Sequence, residues 1–263
     1  MEALQLLLAT VRWSGLGFIV VLVALYFSTT LRSLWMGVIW LRIQGKVDKM
    51  LKKEKLKFLS GTELKGSVLD VGSGGGIQLQ YVVSQPLVTK VVCVEPNRHF
   101  KEALAAAAER AMADRRAVKG ALPLEVTVEQ CTIEAYLAKL GGDSEASRVD
   151  AVTCFLVLCS IPSPPAALRL LHDRCLKPGG RLLFIEHVRP SPEGGALHLL
   201  FKAVQPVWTL LGDGCQLCRA TAETVKHCAP WADVQSYEHF PNGSGMVKLP
   251  WAFGIATKAK EGS

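Results

Sequence analysis

The run Val68-Leu-Asp-Val-Gly-Ser-Gly-Gly-Gly76 constrains the fold more than any other stretch of the chain. Val68, Leu69 and Val71 form a short β-branched and aliphatic strand signal, and the glycines after it reach positive φ and let a ligand approach the backbone. From Ile77 the pattern turns helical, so the free N–H groups of a helix amino terminus face whatever lies over the turn. An ordinary strand-to-helix turn is the competing reading. Two familiar phosphate motifs fail. The dinucleotide fingerprint has Gly72-x-Gly74 but Ile77 where the third glycine belongs, and the Gly-Lys-Ser/Thr of a P-loop does not follow.

Strand and helix signals then alternate. Strands are expected at Lys90 to Glu95, Leu124 to Gln130, Asp150 to Cys154 and Arg181 to Glu186, with Asp233 to Phe240 and Lys248 to Thr257 as the last two. An alanine-rich helix runs from about Arg98 to Met112. This alternation predicts a mostly parallel sheet with helices on both faces. Glu95 lies 23 residues beyond Gly72 at the tip of its strand. An acid there accepts hydrogen bonds from the ribose hydroxyls of an adenosine ligand, although acids at strand ends are also common on surfaces. Phe155, in the run that continues the fourth strand to Ser160, is placed at the mouth of the site.

The chain's 263 residues and 49% hydrophobic content suit one sizeable α/β domain plus an appendage. Its formal charge of +7 is local, because Arg42 to Lys57 holds seven basic and two acidic residues, +5, which leaves +2 elsewhere. That argues against the broad positive face of a nucleic-acid enzyme and for a stem beside an anionic membrane surface, or for a merely solvated helix. Trp13 to Leu31 carries no charge and approaches the roughly 20 apolar residues of a membrane span, flanked by Arg12 and Arg32. A cleaved signal peptide is the rival, but the basic cluster follows the apolar core and places that side in the cytosol. Trp35 and Trp40 suggest an interfacial segment. The expected organisation is an anchor and interfacial segment at 1–41, a basic stem at 42–66 and a catalytic domain at 67–260. Asn242-Gly-Ser is a formal glycosylation acceptor that matters only in a lumenal domain. The eight cysteines lack a framework spacing, so most are expected as reduced core thiols.

Asp70-x-Gly72-x-Gly74-x-Gly76 resembles motif I of the class I S-adenosylmethionine-dependent methyltransferases. Leu156-Val-Leu-Cys-Ser160, Leu176-Lys-Pro-Gly-Gly180, Glu186-His-Val188, Trp208-Thr-Leu-Leu-Gly-Asp-Gly-Cys215 and Pro250-Trp-Ala-Phe-Gly254 narrow the resemblance to the membrane-anchored microsomal thiol S-methyltransferases. The resemblance implies a Rossmann-like seven-stranded sheet behind an N-terminal membrane helix. It further implies S-adenosyl-L-methionine as cofactor, held by Asp70, Gly72, Gly74, Gly76 and Glu95, with Cys131 in the segment that meets the adenine. Members of this family commonly carry Asp where Glu95 stands. The family implies a small alkyl thiol or hydrogen sulfide as acceptor, and an endoplasmic reticulum membrane, with lipid droplets as a further location and the catalytic domain facing the cytosol. Nothing in the sequence fixes the oligomeric state.

Methyl transfer from sulfonium to sulfur is an in-line displacement by a thiolate. Alkyl thiols, with pKa values of about 8.5, are partly ionised at neutral pH, so positioning supplies most of the rate. His187 is the candidate base or substrate-orienting residue, against a structural histidine, and Asp213 is the second candidate, against a turn role. No metal is expected. Cys215-x-x-Cys218 with His227-Cys228 offers zinc ligand types, but adjacent His and Cys side chains diverge and no second spaced pair exists. Ala196 to Leu211 carries apolar residues at helical spacing and is either core or a membrane-facing entrance. A lipid or quinone-like acceptor, and a non-catalytic membrane or lipid-droplet protein with a retained cofactor fold, are the alternatives.

Overall fold

A computed structural model describes residues 15–140, 147–241 and 249–262. Trp13, Arg12, Asn242-Gly-Ser and Lys248 lie outside the described residues. The chain opens with α1, Gly15–Phe27, and α2, Thr29–Ser60. Ser28 separates them. Its extended backbone stops one helix, and its side chain accepts the Leu31 N–H at 3.2 Å to cap the next. The expected single membrane helix is therefore corrected to a pair bent by 119°. Among the described residues no single helix is long and apolar enough to cross a membrane, while the bent pair passes that test of length and composition together.

The segment read as interfacial and the stem as far as Ser60 lie in α2, which packs on the domain instead of standing apart from it, and the stem's last residues enter β1 at Lys65. Arg42, Lys46, Lys49, Lys52, Lys53 and Lys57 are exposed along it, whereas Lys55 turns inward and is fully buried. Its Nζ donates at 2.8 Å to Asp48 and at 2.8 Å to Gln78, and the Tyr81 hydroxyl reaches both Asp48 oxygens at 2.9 Å. Burial pushes the Lys55 amine down, opposed by its bond to Asp48. A buried lysine is tolerated only with such partners.

The strands are β1 Lys65–Val71, β2 Leu87–Val94, β3 Glu125–Glu129, β4 Val149–Phe155, β5 Leu176–His187, β6 Trp231–His239 and β7 Trp251–Lys258. They form one sheet in the order β3-β2-β1-β4-β5-β7-β6. β7 runs antiparallel between β5 and β6; the other contacts are parallel. The period-2 pleat sorts consecutive side chains onto two cores. Val68, Val91, Leu183 and Phe253 face α2, α3 Leu79–Val83 and α4 Lys101–Arg115. Leu69, Val92, Val152 and Phe184 face α5 Ile133–Lys139, α6 Pro164–Leu170 and α8 Thr221–Cys228. Between β5 and α8 comes α7, Ala196–Leu211, which lies beside α1 and exposes Leu199, Leu200, Val204, Val207 and Trp208. This is a doubly covered α/β sheet, and its ligand crevice belongs at the carboxyl ends of the central strands.

Candidate active site

The carboxyl ends of β1, β2, β4 and β5 open onto a cavity of about 670 Å³. Its roof is one stripe of α2, where Trp35, Met36, Ile39, Trp40, Ile43, Val47 and Met50 recur at helical spacing. Trp35 Nε1 donates to the Leu211 carbonyl at 3.1 Å and Asn97 Nδ2 to the Ser33 carbonyl at 2.9 Å, which ties the roof to α7 and to the end of β2.

The glycine turn forms one wall. Gly72 has φ +69, and a Cβ there would lie 2.2 Å from Val157, so only glycine fits. Gly76, at φ +78, serves packing: its Cβ would meet Ala107 of α4 at 2.5 Å, and it does not line the cavity. Glu95, buried at the tip of β2, accepts the Gly74 N–H at 2.8 Å on one oxygen and the Asn97 N–H at 2.8 Å on the other. A carboxylate has about four acceptor sites, so two remain for a ligand. Burial raises the Glu95 pKa, the two N–H bonds lower it, and the charges of Asp70 and Asp213 add to the rise. Asp70 lies beneath the turn, fully enclosed. Its Oδ1 accepts from Thr153 at 2.6 Å, and its Oδ2 has no hydrogen-bond partner among the described residues. Burial raises its pKa against the Thr153 and Ser73 bonds.

Phe155, Thr132, Ile133 and Glu134 line the cavity. Cys131 does not; it packs half-buried against the core beneath α5 and α6. Asp213 sits on the rim at φ 46, inside the turn Gly212-Asp-Gly-Cys215, with the Arg32 guanidinium of the roof 3.9 Å away. Burial raises its pKa and the Arg32 charge lowers it. The geometry gives Asp213 a turn and a roof contact.

The floor comes from β5 and the two turns beside it. Glu186 is fully buried and accepts the backbone N–H groups of Val157 and Leu158 at 2.7 Å each and of Cys159 at 3.3 Å. Burial pushes its pKa up to about 7, against the His187 charge and these three bonds. Arg219 holds the same turn through the carbonyls of Leu158 at 2.5 Å and Ile161 at 2.8 Å. His187 is buried, with Nε2 at 3.0 Å from Cys215 Sγ, and Cys215 Sγ lies 3.6 Å from Cys159 Sγ. The bond to Cys159 drives the Cys215 thiol down despite burial, helped by His187; burial alone would lower His187, but Cys215 holds it up.

Among the expected residues, Gly72, Gly74, Glu95, Phe155, His187 and Asp213 thus line one cavity, while Asp70, Gly76 and Cys131 do not. Sequence reasoning quoted Cys159, Glu186 and Cys215 only within family-like segments, tried Cys215 with Cys218 and not with Cys159, and gave the roof no part in the site. The two cysteines are 28 residues before and after His187, so no local spacing announced them. The zinc set weighed from sequence does not assemble: Cys218 lies by Lys202 and Gln216 in a separate shallow pocket, His227 is exposed, and Cys228 bonds the Val225 carbonyl at 3.3 Å. The cysteines are all free; six are buried and Cys131 and Cys218 half-buried.

The profile of a family described as "Methyltransferase domain" matches residues 43–230. Thiol S-methyltransferase TMT1B of Rattus norvegicus is 33% identical over 207 residues, 78% of this chain and 75% of that protein. Thiol S-methyltransferase TMT1A of Homo sapiens is 29% identical over 191 residues, 69% of each. Of solved structures, a SAM-dependent methyltransferase from Methanosarcina mazei aligns with TM-score 0.53 at 16% identity, covering 77% of this chain and 98% of that one. An O-methyltransferase family protein from Burkholderia thailandensis aligns with TM-score 0.55 at 14% identity, covering 90% and 62%. These two likenesses concern the fold alone.

Proposed function

From the premise that this chain belongs to the methyltransferase-domain family and is an S-adenosylmethionine-dependent methyltransferase, we propose that it methylates the sulfur of small alkyl thiols or hydrogen sulfide at a membrane surface. The residues fit the donor. Glu95 keeps two acceptor sites for the ribose hydroxyls, Gly72 and Gly74 present backbone to the cavity, and Asp70, with Oδ2 unpartnered among the described residues, lies beneath that turn. The donor supplies an electrophilic methyl group. The chain's own residues hold the ribose end at Glu95, exclude water beneath α2 and align the acceptor against the floor.

The observation that carries the acceptor class is the cluster of Cys159, His187 and Cys215 on the floor of a mostly apolar cavity. Trp35, Ile39 and Leu211 offer nothing to a polar acceptor, and the polar end is soft, with two sulfurs and an imidazole. His187 is engaged with Cys215, so its role is to organise this end instead of standing free as a base. Thiols suit such a site because they reach the thiolate at near-neutral pH. The relatives named thiol S-methyltransferases support the same choice.

For the membrane, α1 exposes Ile19, Val20, Val23, Tyr26 and Phe27 next to the apolar residues exposed on α7. Contiguous exposed apolar surface of this kind favours a bilayer, and the basic residues of α2 suit anionic headgroups on the cytosolic side. The resemblance to the microsomal thiol S-methyltransferases points to the endoplasmic reticulum membrane, with lipid droplets as a second location. A lipid or quinone-like acceptor is the second reading, favoured by the apolar roof. A methyl-transfer assay with labelled donor, run on alkyl thiols, hydrogen sulfide and quinols with wild type and Glu95→Ala side by side, decides between them. Methylation of quinols with no thiol product sinks the thiol assignment.

A further inference from the structure

Three elements converge on the cavity floor: Cys159 from the turn after β4, His187 from the end of β5, and Cys215 from the turn after α7. Their ligand atoms all lie within 4.8 Å of one another, and all three residues are buried. We propose that these residues bind a zinc ion through two thiolates and one imidazole, and that its fourth position opens into the cavity and takes the sulfur of the acceptor. The second half rests on the thiol reading above.

Two of the three edges are close to what the ion requires, and the third, Cys159 to His187, lies within 4.8 Å. With Zn–S near 2.3 Å and Zn–N near 2.0 Å, a tetrahedral site has ligand-to-ligand edges of roughly 3.4 to 3.8 Å. The Cys159–Cys215 edge is already 3.6 Å, and the His187–Cys215 edge of 3.0 Å needs to open by only a few tenths of an ångström. Two sulfurs and an imidazole are donors for a borderline-soft ion, and three protein ligands beside a cavity leave the open position of a catalytic site. The backbones are held before any ion arrives. Glu186 bonds the Cys159 N–H, Arg219 bonds the carbonyls on either side, and Gln205 bonds the Cys215 carbonyl at 3.1 Å and the Leu217 N–H at 2.7 Å. Two thiolates also neutralise the dication, so the buried site carries no net charge.

The chemistry balances. An acceptor thiol coordinates through sulfur, its S–H bond breaks, and the proton leaves to solvent through the cavity mouth. The bound thiolate displaces the methyl group; a C–S bond forms, and the donor's C–S bond breaks with its electron pair on the departing sulfur. The thioether product is a weak ligand and vacates the fourth position.

The test uses the full chain, purified in detergent under reducing conditions from zinc-supplemented cells and dialysed against a weak chelator. Elemental analysis should find about one zinc per chain, falling at least about tenfold in Cys159→Ser and Cys215→Ser and kept in Cys218→Ser and Cys228→Ser. Binding of S-adenosylmethionine by each variant reports that it is folded. Cobalt-substituted protein should show a sulfur-to-metal charge-transfer band that shifts when ethanethiol is added. Folded, reduced protein that holds under about a tenth of a zinc per chain and shows no cobalt band overturns the site, as does recovery of Cys159 and Cys215 as a stable disulfide under these conditions. Thiol methylation by such metal-free protein leaves the proposed activity standing. Zinc retained with no cobalt shift overturns the open-position half alone, and zinc retained with no thiol methylated counts against the activity and not against the ion site.

Discussion

Gly74 donates its backbone N–H to the Glu95 carboxylate at 2.8 Å, so the glycine turn and the tip of β2 form one clamp. Glu95→Ala should remove the ribose acceptor and release the turn together. With charged hydrogen bonds worth about 1.5 to 3 kcal/mol each, affinity for S-adenosylmethionine should fall at least about tenfold. Calorimetric titration measures it. Glu95→Ala binding as tightly as wild type sinks the assignment.

The same clamp has a pH signature. Burial raises the Glu95 pKa, with Asp70 and Asp213 as the neighbouring acids and Arg32 as the cation facing Asp213. The folded chain therefore holds this proton more readily than the unfolded chain. Glu95 thus costs the ligand-free protein stability as pH rises from the unfolded value of 4.5 through the raised folded value. Cofactor affinity should move the other way, weakening as pH falls through that window, because a protonated carboxyl loses acceptor strength. Binding measured over a pH series upward from 4.5 should show this slope in wild type, and Glu95→Gln should flatten it.

The strand-turn-helix unit and its clamp were legible because their signals are local. Val68 to Gly76 runs from the end of β1 into its turn, and Glu95 lies at the tip of the next strand. The floor was not legible. Cys159, His187 and Cys215 are far apart in sequence and meet only because β4, β5 and the turn after α7 end at the same sheet edge. The roof became visible only in the tertiary structure. A basic helix with one apolar stripe reads as a membrane-side stem, and only the tertiary partners of Trp35, Trp40 and Lys55 show that the stripe faces protein. Ser28 is a good N-cap in an apolar run, a signal that was present and outweighed by hydropathy.

Gly76→Ala should destabilise the fold more than it alters the cavity. The new Cβ would be 2.5 Å from Ala107 in a backbone conformation that side chains avoid, at φ +78. Left-handed strain of about 1 to 2 kcal/mol adds to overpacking of about 1 to 3 kcal/mol. Chemical denaturation of the ligand-free protein should show a lower midpoint, and an unchanged midpoint would contradict the packing role.

Asp48→Ala should strand the Lys55 ammonium in the core. Breaking a buried pair by removing one partner costs about 3 to 5 kcal/mol, whereas replacing both with apolar residues is often tolerated. The double variant Asp48→Leu, Lys55→Met should therefore be more stable than Asp48→Ala. Because burial lowers the Lys55 pKa, the folded chain binds this proton less readily than the unfolded chain, so the Asp48→Ala deficit should shrink as pH rises toward the ordinary value of 10.5. Proteolysis of α2 provides a second readout, since this network fastens α2 to α3 through Gln78 and Tyr81.

The membrane reading makes a prediction separable from catalysis. Val20 and Val23 are 60% and 50% exposed on α1, next to α7, and neither lines the cavity. Each apolar side chain moved from water into lipid contributes about 1.5 to 3 kcal/mol, so Val20→Asp with Val23→Asp should lower partitioning onto phosphatidylcholine vesicles at least about tenfold. The basic face of α2 acts through charge, worth about 1 kcal/mol per residue near an anionic surface, and Lys46→Gln with Lys49→Gln should weaken binding only to vesicles containing phosphatidylserine. Raised salt should mimic the lysine changes and leave the effect of the valine changes intact, because screening acts on charge and not on apolar burial. All variants should bind S-adenosylmethionine normally in detergent. Vesicle flotation of the doubly substituted α1 variant at wild-type levels would remove the apolar face as the membrane contact, whatever the fate of the thiol chemistry.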